Sequence, residues 1–391
     1  MKVLVWMFTG FDKPTTSEHL LTAIIEKLCQ NGHSVHIIQK NCGGDRPAIP
    51  ECLIQYSITT DQIPFDTVDK GNLAARYLAE LQYIYACKKY IRSDLDAVFI
   101  QSTTVGGAAV GLIRSRLKHA IITFNVQDIF PYNAVYSGSI KKKGLIFGVM
   151  AMEQRYAYKH SDHIITISED MKNLLVEDGT EADKIEVIHN WSYQDEPYFF
   201  SEFDLKPVSN MFRKEFFNVV YAGNIGVMQN VDILIETAKL MKEDRSVWFH
   251  IIGNGLYKKK LIEQAKDYGL TNISFWPMQP AELAPVIYSA ADVNVIPLVK
   301  NVYKTALPSK TATCLACQKP IVFAIGKEGC FSKKIMQETG CFVVESDNAE
   351  ELMKRIIDSK NTNSRTMKFF KKYFSRENAD LYSQIIVREG R

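Results

Sequence analysis

The chain has 391 residues, of which 46% are hydrophobic and 23% charged, enough to form two sizeable cores. A formal net charge of +3 excludes the strongly basic class of proteins that bind nucleic acid by charge alone. No apolar run approaches the roughly 20 residues that a membrane-spanning helix needs. No small-residue cleavage site follows the apolar residues 1–6, so we interpret them as a first strand and expect a cytoplasmic protein.

The first half of the chain alternates predicted strands with predicted helices. The helix at 17–30 has apolar residues at helical spacing, and Thr15 and Glu18 are placed as a capping box at its start. It joins two strands into a βαβ unit, whose strands should be parallel and buried. Strands are predicted in this half at 2–6, 34–39, 96–101, 120–125, 164–168 and 187–191.

Three loops of this half follow predicted strands and should meet at the edge of an α/β sheet where ligands bind. They contain Gly10, where a ligand could approach the backbone, Thr103 and Asp128. The Asp128 carboxylate could act as a general base or accept a hydrogen bond from a hydroxyl group. It could equally make a local turn before Pro131. His19 is a weaker candidate, because a histidine just inside a helix more often packs than reacts.

Residues 139–152 join Lys141, Lys142 and Lys143 to an apolar run. Basic charge beside apolar side chains suits the interface of an anionic membrane. A core helix with a solvated lysine cap gives the same pattern. Both interpretations remain open at this point.

The second half begins after a change of pattern near residue 195. Small residues follow two of its strands, at Gly223 and Gly226 and again at Gly253 and Gly255, and would let a nucleotide approach the backbone. Neither pair has the GxGxxG spacing of a dinucleotide site, which disfavours a nicotinamide enzyme. Strands are predicted here at 217–222, 247–252, 273–276, 292–297, 321–324 and 341–345.

Residues 305–320 are predicted to form a loop, a short helix at 308–317 and the start of a strand. Pro308 and Ser309 suit a helix start, with Ser309 as its cap, and Lys310 adds a positive charge. Such a helix start suits a phosphate group, although an ordinary connection between helix and strand has the same local pattern. Cys314 and Cys317 have C-x-x-C spacing, but no second pair follows, so we expect buried free thiols and no zinc.

Several short motifs of this sequence stand in an order that is typical of one enzyme family. They are NGHSV (31–35), VQDIFP (126–131), VIHNW (187–191), YAGNIG (221–226), IIGNG (251–255), AD (291–292), LPSK (307–310) and KPIV (319–322). The chain resembles retaining GT-B glycosyltransferases of family 4. Within that family it is similar to the bacterial surface-polysaccharide branch (O-antigen and capsule) that includes N-acetyl-L-fucosamine transferases.

The resemblance implies an α/β protein of GT-B architecture, with two Rossmann-like doubly wound domains facing across a cleft. The acceptor-side domain would cover 1–195 and the nucleotide-sugar domain 196–365. A C-terminal helix in 366–391 would cross back to the first domain. Family members commonly have glutamates where this chain has Thr305 and Thr313.

Other positions also depart from the family pattern. Asn224 and Gln229 occupy places where many relatives have Arg and Lys for the pyrophosphate. The phosphate charge must then be met by Lys310 and by backbone amides near 306–309. Gln318 stands where a glycine usually ends the helix.

The function implied by the resemblance is transfer of a hexosyl or N-acetylamino-sugar unit from a nucleotide diphosphate sugar. The acceptor would be a growing glycan linked to polyprenyl diphosphate, with the protein peripheral on the inner face of the cell membrane. Asp128 and Lys310 are the expected catalytic residues, Gly10 and Thr103 lie on the acceptor side, and no metal or further cofactor is expected. The expected donor-binding residues are Gly223, Asn224, Gly226, Gly253, Asn254, Gly255, Met278, Thr305, Ala306, Leu307, Pro308, Ser309 and Thr313.

Two alternative functions fit the same sequence. A non-hydrolysing nucleotide-sugar epimerase shares the two-domain plan but needs carboxylate and histidine acid/base groups, of which only Asp128 is a clear candidate. A catalytically silent nucleotide-sugar-binding subunit would explain why threonines replace the family's glutamates.

Overall fold

A computed structural model describes residues 1–66, 68, 72–193, 198, 200, 204, 206–212, 214–362 and 365–389. The chain forms two compact units: the first unit comprises 1–190 and 376–391, and the second unit comprises 191–375. Asp195 and Glu196, the two sides of the expected domain boundary, lie outside the described residues.

The first unit is built on a parallel sheet with the strand order β3-β2-β1-β4-β5-β6-β7. Apolar side chains fill most of its central strands because helices cover both faces of such a sheet. The strands are β1 (Lys2–Trp6), β2 (Ser34–Asn41), β3 (Thr59–Pro64), β4 (Ala97–Ile100), β5 (Ile121–Val126), β6 (His163–Thr166) and β7 (Ile185–Val187). The helices between them are α1 (Glu18–Gln30), α2 (Leu73–Cys87), α3 (Gly106–Arg116), α4 (Tyr132–Tyr136), α5 (Leu145–His160) and α6 (Glu169–Glu177).

One local prediction in the first unit is wrong, and two elements of this unit were not predicted. The start of α1 is not closed by a capping box: Ser17 is the N-cap residue and makes no side-chain cap bond. Glu18 instead pairs with Arg46 through two hydrogen bonds of 2.7 and 2.9 Å. The edge strand β3 and the short helix α4 were not predicted, because β3 is largely polar and α4 is only five residues long.

The second unit repeats the plan with the strand order β10-β9-β8-β11-β12-β13. Its strands are β8 (Phe217–Ala222), β9 (Val247–Ile252), β10 (Ile273–Trp276), β11 (Val293–Pro297), β12 (Ile321–Ala324) and β13 (Phe342–Val344). Its helices are α7 (Asp232–Leu240), α8 (Lys258–Asp267), α9 (Ala284–Ala290), α10 (Lys310–Ala316), α11 (Cys330–Thr339), α12 (Ala349–Ser359) and α13 (Met367–Tyr373). The strand order reverses between β8 and β11, which is the place along the carboxyl edge where open α/β sheets bind ligands.

The C-terminal tail forms two helices rather than the single expected one. In α13 the side chains of Phe369 and Phe370 are buried within the second unit. The last helix, α14 (Asn378–Ile386), belongs to the first unit and packs against α1, where Asn31 donates a 2.9 Å hydrogen bond to Ser383. The predicted fold class, α/β with two Rossmann-like parallel-sheet domains, is confirmed.

Candidate functional site

Lys310 lies at the carboxyl edge of the second sheet, next to the point where the strand order reverses. Its Nζ atom is 3.7 Å from the centre of the Tyr221 ring, at the end of β8. A Cβ atom on Gly223 would come within 2.8 Å of that Nζ, so a side chain there would displace the ammonium group from this position. The sequence indicated Lys310 and Gly223 separately, but it gave no sign of the contact with Tyr221.

The environment of Lys310 disfavours its own positive charge. Burial lowers the pKa of its ammonium group from 10.5 to about 7. Within the described ranges, no carboxylate forms an ion pair with Lys310, and the Tyr221 ring face is the contact that favours the cation. A desolvated ammonium group without a counter-ion binds an anion strongly, because the anion supplies the missing charge.

Gly253 and Gly255 are needed for the packing between two loops of the second unit. Gly253, with a φ of 152°, lies so close to the carbonyl of Gly223 that any Cβ atom would clash with it. Gly255, with a φ of 156°, lies equally close to the carbonyl of Ile225. The loops after β8 and β9 are therefore in direct contact. Close backbone packing explains these glycines without a ligand, whereas the sequence suggested that they admit one.

The loop after β8 is held by the side chain of Gln229. Its Oε1 atom accepts hydrogen bonds from the Gly226 amide at 3.2 Å and from the Asn224 side chain at 3.3 Å. Asn224 and Asn254 are both exposed, and the Asn254 carbonyl accepts a 2.8 Å hydrogen bond from the Ile225 amide. The Gly226 amide is engaged, whereas the exposed Asn224 side-chain amide has a second hydrogen beyond its bond to Gln229.

The start of α10 differs from the prediction in several respects. Thr305 is fully buried and its hydroxyl donates to the Val302 carbonyl at 3.0 Å, so its side chain does not face a ligand. The Ala306 amide also donates to Val302, at 3.0 Å. Ser309 has helical backbone angles and makes no side-chain cap bond, so the predicted cap is wrong.

Two amides remain available before α10. In the described part of the chain, the amides of Leu307 and Ser309 have no hydrogen-bond partner, and Pro308 between them has no amide hydrogen. The helix itself spans only seven residues, and Thr313 within it is buried. Lys310 thus provides the main positive charge of this edge. After the helix, Gln318 adopts a left-handed φ of 54° in the place where a glycine is usual.

Asp128 lies in the loop after β5 of the first unit. The side-chain amide of Asn133, in α4, donates a 2.7 Å hydrogen bond to its Oδ1 atom. Desolvation raises the pKa of the Asp128 carboxyl and this hydrogen bond opposes the shift, while the residue keeps part of its surface exposed. The sequence did not indicate Asn133, because the short helix that places it has no periodic pattern.

The other two residues expected on the acceptor side are engaged within the first unit. A Cβ atom on Gly10 would clash with the Lys40 carbonyl, so the space beside this glycine is filled by the protein itself. Thr103 is buried and its hydroxyl donates to Glu80, which also accepts a 2.9 Å hydrogen bond from Thr104. In this structure the space beside Gly10 is occupied by the protein, and the hydroxyl of Thr103 is engaged by Glu80.

The cysteines and the remaining candidates are consistent with a site without thiol chemistry. Cys314 and Cys317 are buried free thiols, as predicted, and burial raises the pKa of Cys317 to about 12. Of the residues that the structure describes, no group of three or more His, Cys, Asp or Glu could hold a metal ion.

Met278, after β10, is 51% exposed. No helix within the described ranges has the length and apolarity to cross a membrane.

Comparison with known proteins identifies the activity. A family model described as Glycosyltransferase Family 4 matches residues 17–191, and one described as Glycosyl transferases group 1 matches residues 203–373. The two matches fall on the two units. The chain is a glycosyltransferase.

Individual relatives of this glycosyltransferase are distant. WbjE of Pseudomonas aeruginosa, named a probable glycosyltransferase, is 22% identical over 341 residues, which cover 86% of this chain and 83% of the relative. WcaI of Escherichia coli strain K12, named for glycosyl transfer in colanic acid biosynthesis, is 27% identical over 179 residues, or 45% and 43% of the two chains. The crystal structure of Anabaena Alr3699/HepE in complex with UDP and glucose has a TM-score of 0.71 at 16% identity, with 97% of both chains covered. This similarity confirms the predicted GT-B fold.

Proposed function

We propose that this glycosyltransferase transfers a hexosyl or N-acetylamino-sugar unit, with retention, from a nucleotide diphosphate sugar to a growing glycan in cell-surface polysaccharide synthesis. The acceptor would be linked to polyprenyl diphosphate. The observation that carries the proposal is the desolvated ammonium group of Lys310, packed on Tyr221 and Gly223 where the strand order reverses. The UDP and glucose in the HepE complex and the colanic acid pathway in the name of WcaI support the donor and the product class.

The diphosphate of the donor would lie against Lys310. Cleavage of the bond between the anomeric carbon and the diphosphate oxygen leaves negative charge on the departing diphosphate. A cation fixed beside that oxygen stabilises the charge as it develops, which is the main way such sites accelerate transfer. The amides of Leu307 and Ser309 and the side chain of Asn224 would donate hydrogen bonds to the same group. Because the Thr305 side chain is buried, it makes no contact with the donor in this proposal.

The nucleoside would lie beyond the diphosphate, over the ends of β9 and β10. Residues 253–255 would face it with backbone groups and Met278 with an apolar side chain. The hydroxyl of Thr313, which is buried within α10, would hydrogen-bond a ribose hydroxyl. No metal is needed in this arrangement, so we expect that chelation with EDTA leaves transfer unchanged.

Asp128 would contact the acceptor or the reacting sugar. Its Oδ1 atom is fixed by Asn133, which leaves Oδ2 to accept the hydrogen bond of a hydroxyl group. During transfer this hydroxyl oxygen forms the new bond to the anomeric carbon and gives up its proton. A carboxylate within hydrogen-bond distance would orient the hydroxyl and accept this proton.

The apolar run after Lys141, Lys142 and Lys143 forms the start of α5. The exposed fractions are 86% for Leu145, 59% for Ile146, 46% for Val149 and 64% for Met152. A core helix would bury these side chains, so their exposure beside three exposed lysines supports peripheral contact with an anionic membrane. Flotation with vesicles of phosphatidylglycerol and phosphatidylcholine tests this, and unchanged binding after all three lysines are replaced by Glu would contradict it.

The donor site is tested by binding and by turnover. A thermal-shift screen of nucleotide sugars should find a donor that raises the unfolding temperature. With that donor and a lipid-linked acceptor, Lys310→Ala should reduce turnover about a hundredfold or more. Lys304→Ala is the matched control, because Lys304 is an exposed lysine of the same loop. Near-normal turnover of Lys310→Ala would exclude the proposed role, and donor binding without transfer to any acceptor would favour a silent subunit.

A further inference from the structure

Lys258 connects the ends of two neighbouring strands in the second unit. It is the first residue of α8, and its Nζ atom donates to the carbonyl of Gly253 at 2.7 Å and to that of Trp276 at 2.6 Å. Gly253 directly follows β9 and Trp276 ends β10, and the two strands are paired with Ile252 opposite Trp276. The Trp276 carbonyl also accepts a 3.2 Å hydrogen bond from the Gly253 amide. One ammonium group therefore holds both strand ends in place.

Its neighbours show that this arrangement is particular to Lys258. Lys259 and Lys260 are exposed, and Lys260 contacts Tyr257 and Asp232 at the surface. Lys258 is half-buried, and ordering a long side chain and desolvating its charge both cost free energy. Two hydrogen bonds from a charged donor to backbone carbonyls offset that cost and fix the two carbonyls.

The segments fixed by Lys258 are those that the proposed function assigns to the nucleoside. Large apolar side chains follow each carbonyl: Leu256, 83% exposed, comes shortly after Gly253, and Met278, 51% exposed, comes shortly after Trp276. Sites for small ligands commonly combine apolar side chains with a few fixed polar groups, backbone carbonyls and amides among them.

We propose that Lys258 is a positioning residue for the nucleoside half of the donor site, an inference that rests on the proposed function. Lys258 itself does not touch the donor. It holds the residues 253–255 and the exit of β10 in the conformation that receives the base and ribose, so that binding does not have to order them. Its effect should therefore appear in donor affinity and not in the transfer step.

The experiment compares two probes, UDP and inorganic diphosphate, on the full chain by calorimetry. Lys258→Met keeps the length of the side chain and removes both hydrogen bonds, and it should raise the Kd for UDP about tenfold. The Kd for inorganic diphosphate should stay within about twofold of wild type, because that probe binds only the Lys310 side of the site. Lys258→Gln, which can reach one carbonyl, should be intermediate, and Lys259→Met is the matched control.

A merely structural role would give a different pattern. It would lower the unfolding temperature of Lys258→Met while leaving UDP affinity unchanged well below that temperature, and this result would overturn the inference. Equal loss of affinity for UDP and inorganic diphosphate would overturn it as well. In steady-state transfer the inference requires a higher KM for the donor at nearly unchanged kcat. A wild-type protein that binds no nucleoside diphosphate would overturn the proposed function and this inference together, whereas wild-type UDP binding with an unaffected Lys258→Met would overturn the inference alone.

Discussion

Raising the pH from 7 to 8.5 should weaken the binding of UDP through the deprotonation of Lys310. Burial lowers the pKa of this lysine to about 7, so the free protein loses its ammonium charge as the pH rises through neutrality. The bound diphosphate favours the charged form and raises the pKa in the complex. Binding above pH 7 must therefore take up a proton, and it becomes weaker as protons become scarce.

The size of the effect follows from the fraction of charged lysine. With a pKa of about 7, about half of the Lys310 side chains are protonated at pH 7 and about 3% at pH 8.5. If only the charged form binds the diphosphate well, the Kd for UDP rises about fifteenfold between these two pH values. An ordinary exposed lysine, with a pKa near 10.4, would give almost no change over the same range.

Calorimetric titration of UDP at constant ionic strength between pH 7 and 8.5 measures this dependence directly. Two variants serve as controls. Lys310→Arg remains charged throughout and should give a flat profile, and Lys310→Met should bind weakly at every pH. A wild-type Kd that does not change over this range, or an equally steep profile for Lys310→Arg, would show that Lys310 is not the group that meets the diphosphate charge.

Three further predictions concern the same residues. Lys310→Met should raise the free energy of unfolding at pH 7 by about 1–3 kcal/mol in chemical denaturation, because the folded protein no longer holds a desolvated charge. This gain should shrink as the pH rises from 7 towards 10.5, where the lysine of the unfolded wild-type chain also loses its proton. Gly253→Ala should destabilise the protein far more than Gly340→Ala, because both glycines have positive φ but only Gly253 faces a backbone carbonyl, that of Gly223. Gly340→Ala should cost only about 1 kcal/mol of stability, and equal losses of stability in the two variants would contradict the close packing of the two loops. Asp128→Asn should lower turnover about a hundredfold with an unchanged Kd for UDP, and a parallel loss of UDP affinity would argue against an acceptor-side role.

Much of the secondary structure could be read from the sequence because its strands are unusually clear. The predicted bounds of β1, β8, β9, β10 and β12 agree with the structure. These strands are short apolar runs bounded by polar or turn residues, which is the pattern of a sheet buried on both faces.

Elements whose stability comes from tertiary contacts were missed. The edge strand β3 carries polar residues because one side of it faces solvent, so it has no apolar run to detect. The short helix α4 depends on its surroundings in the fold for its stability, and it brings Asn133 to Asp128. Thr305 was expected to bind the donor, but it follows the short helical turn at Val302–Lys304, and its buried hydroxyl donates to the Val302 carbonyl.

By itself the sequence determined two α/β halves, the loops that follow their strands, and Lys310 as the charge at the start of a helix. Only the tertiary structure decided what those residues face. The contact between Lys310 and Tyr221, the packing of Gly253 on Gly223 and the two hydrogen bonds of Lys258 all join segments that are distant in the chain. A local pattern specifies which element a residue belongs to. The desolvation of a charge, and the clash that a Cβ atom would make at a glycine position, depend on neighbours that only the folded chain brings together.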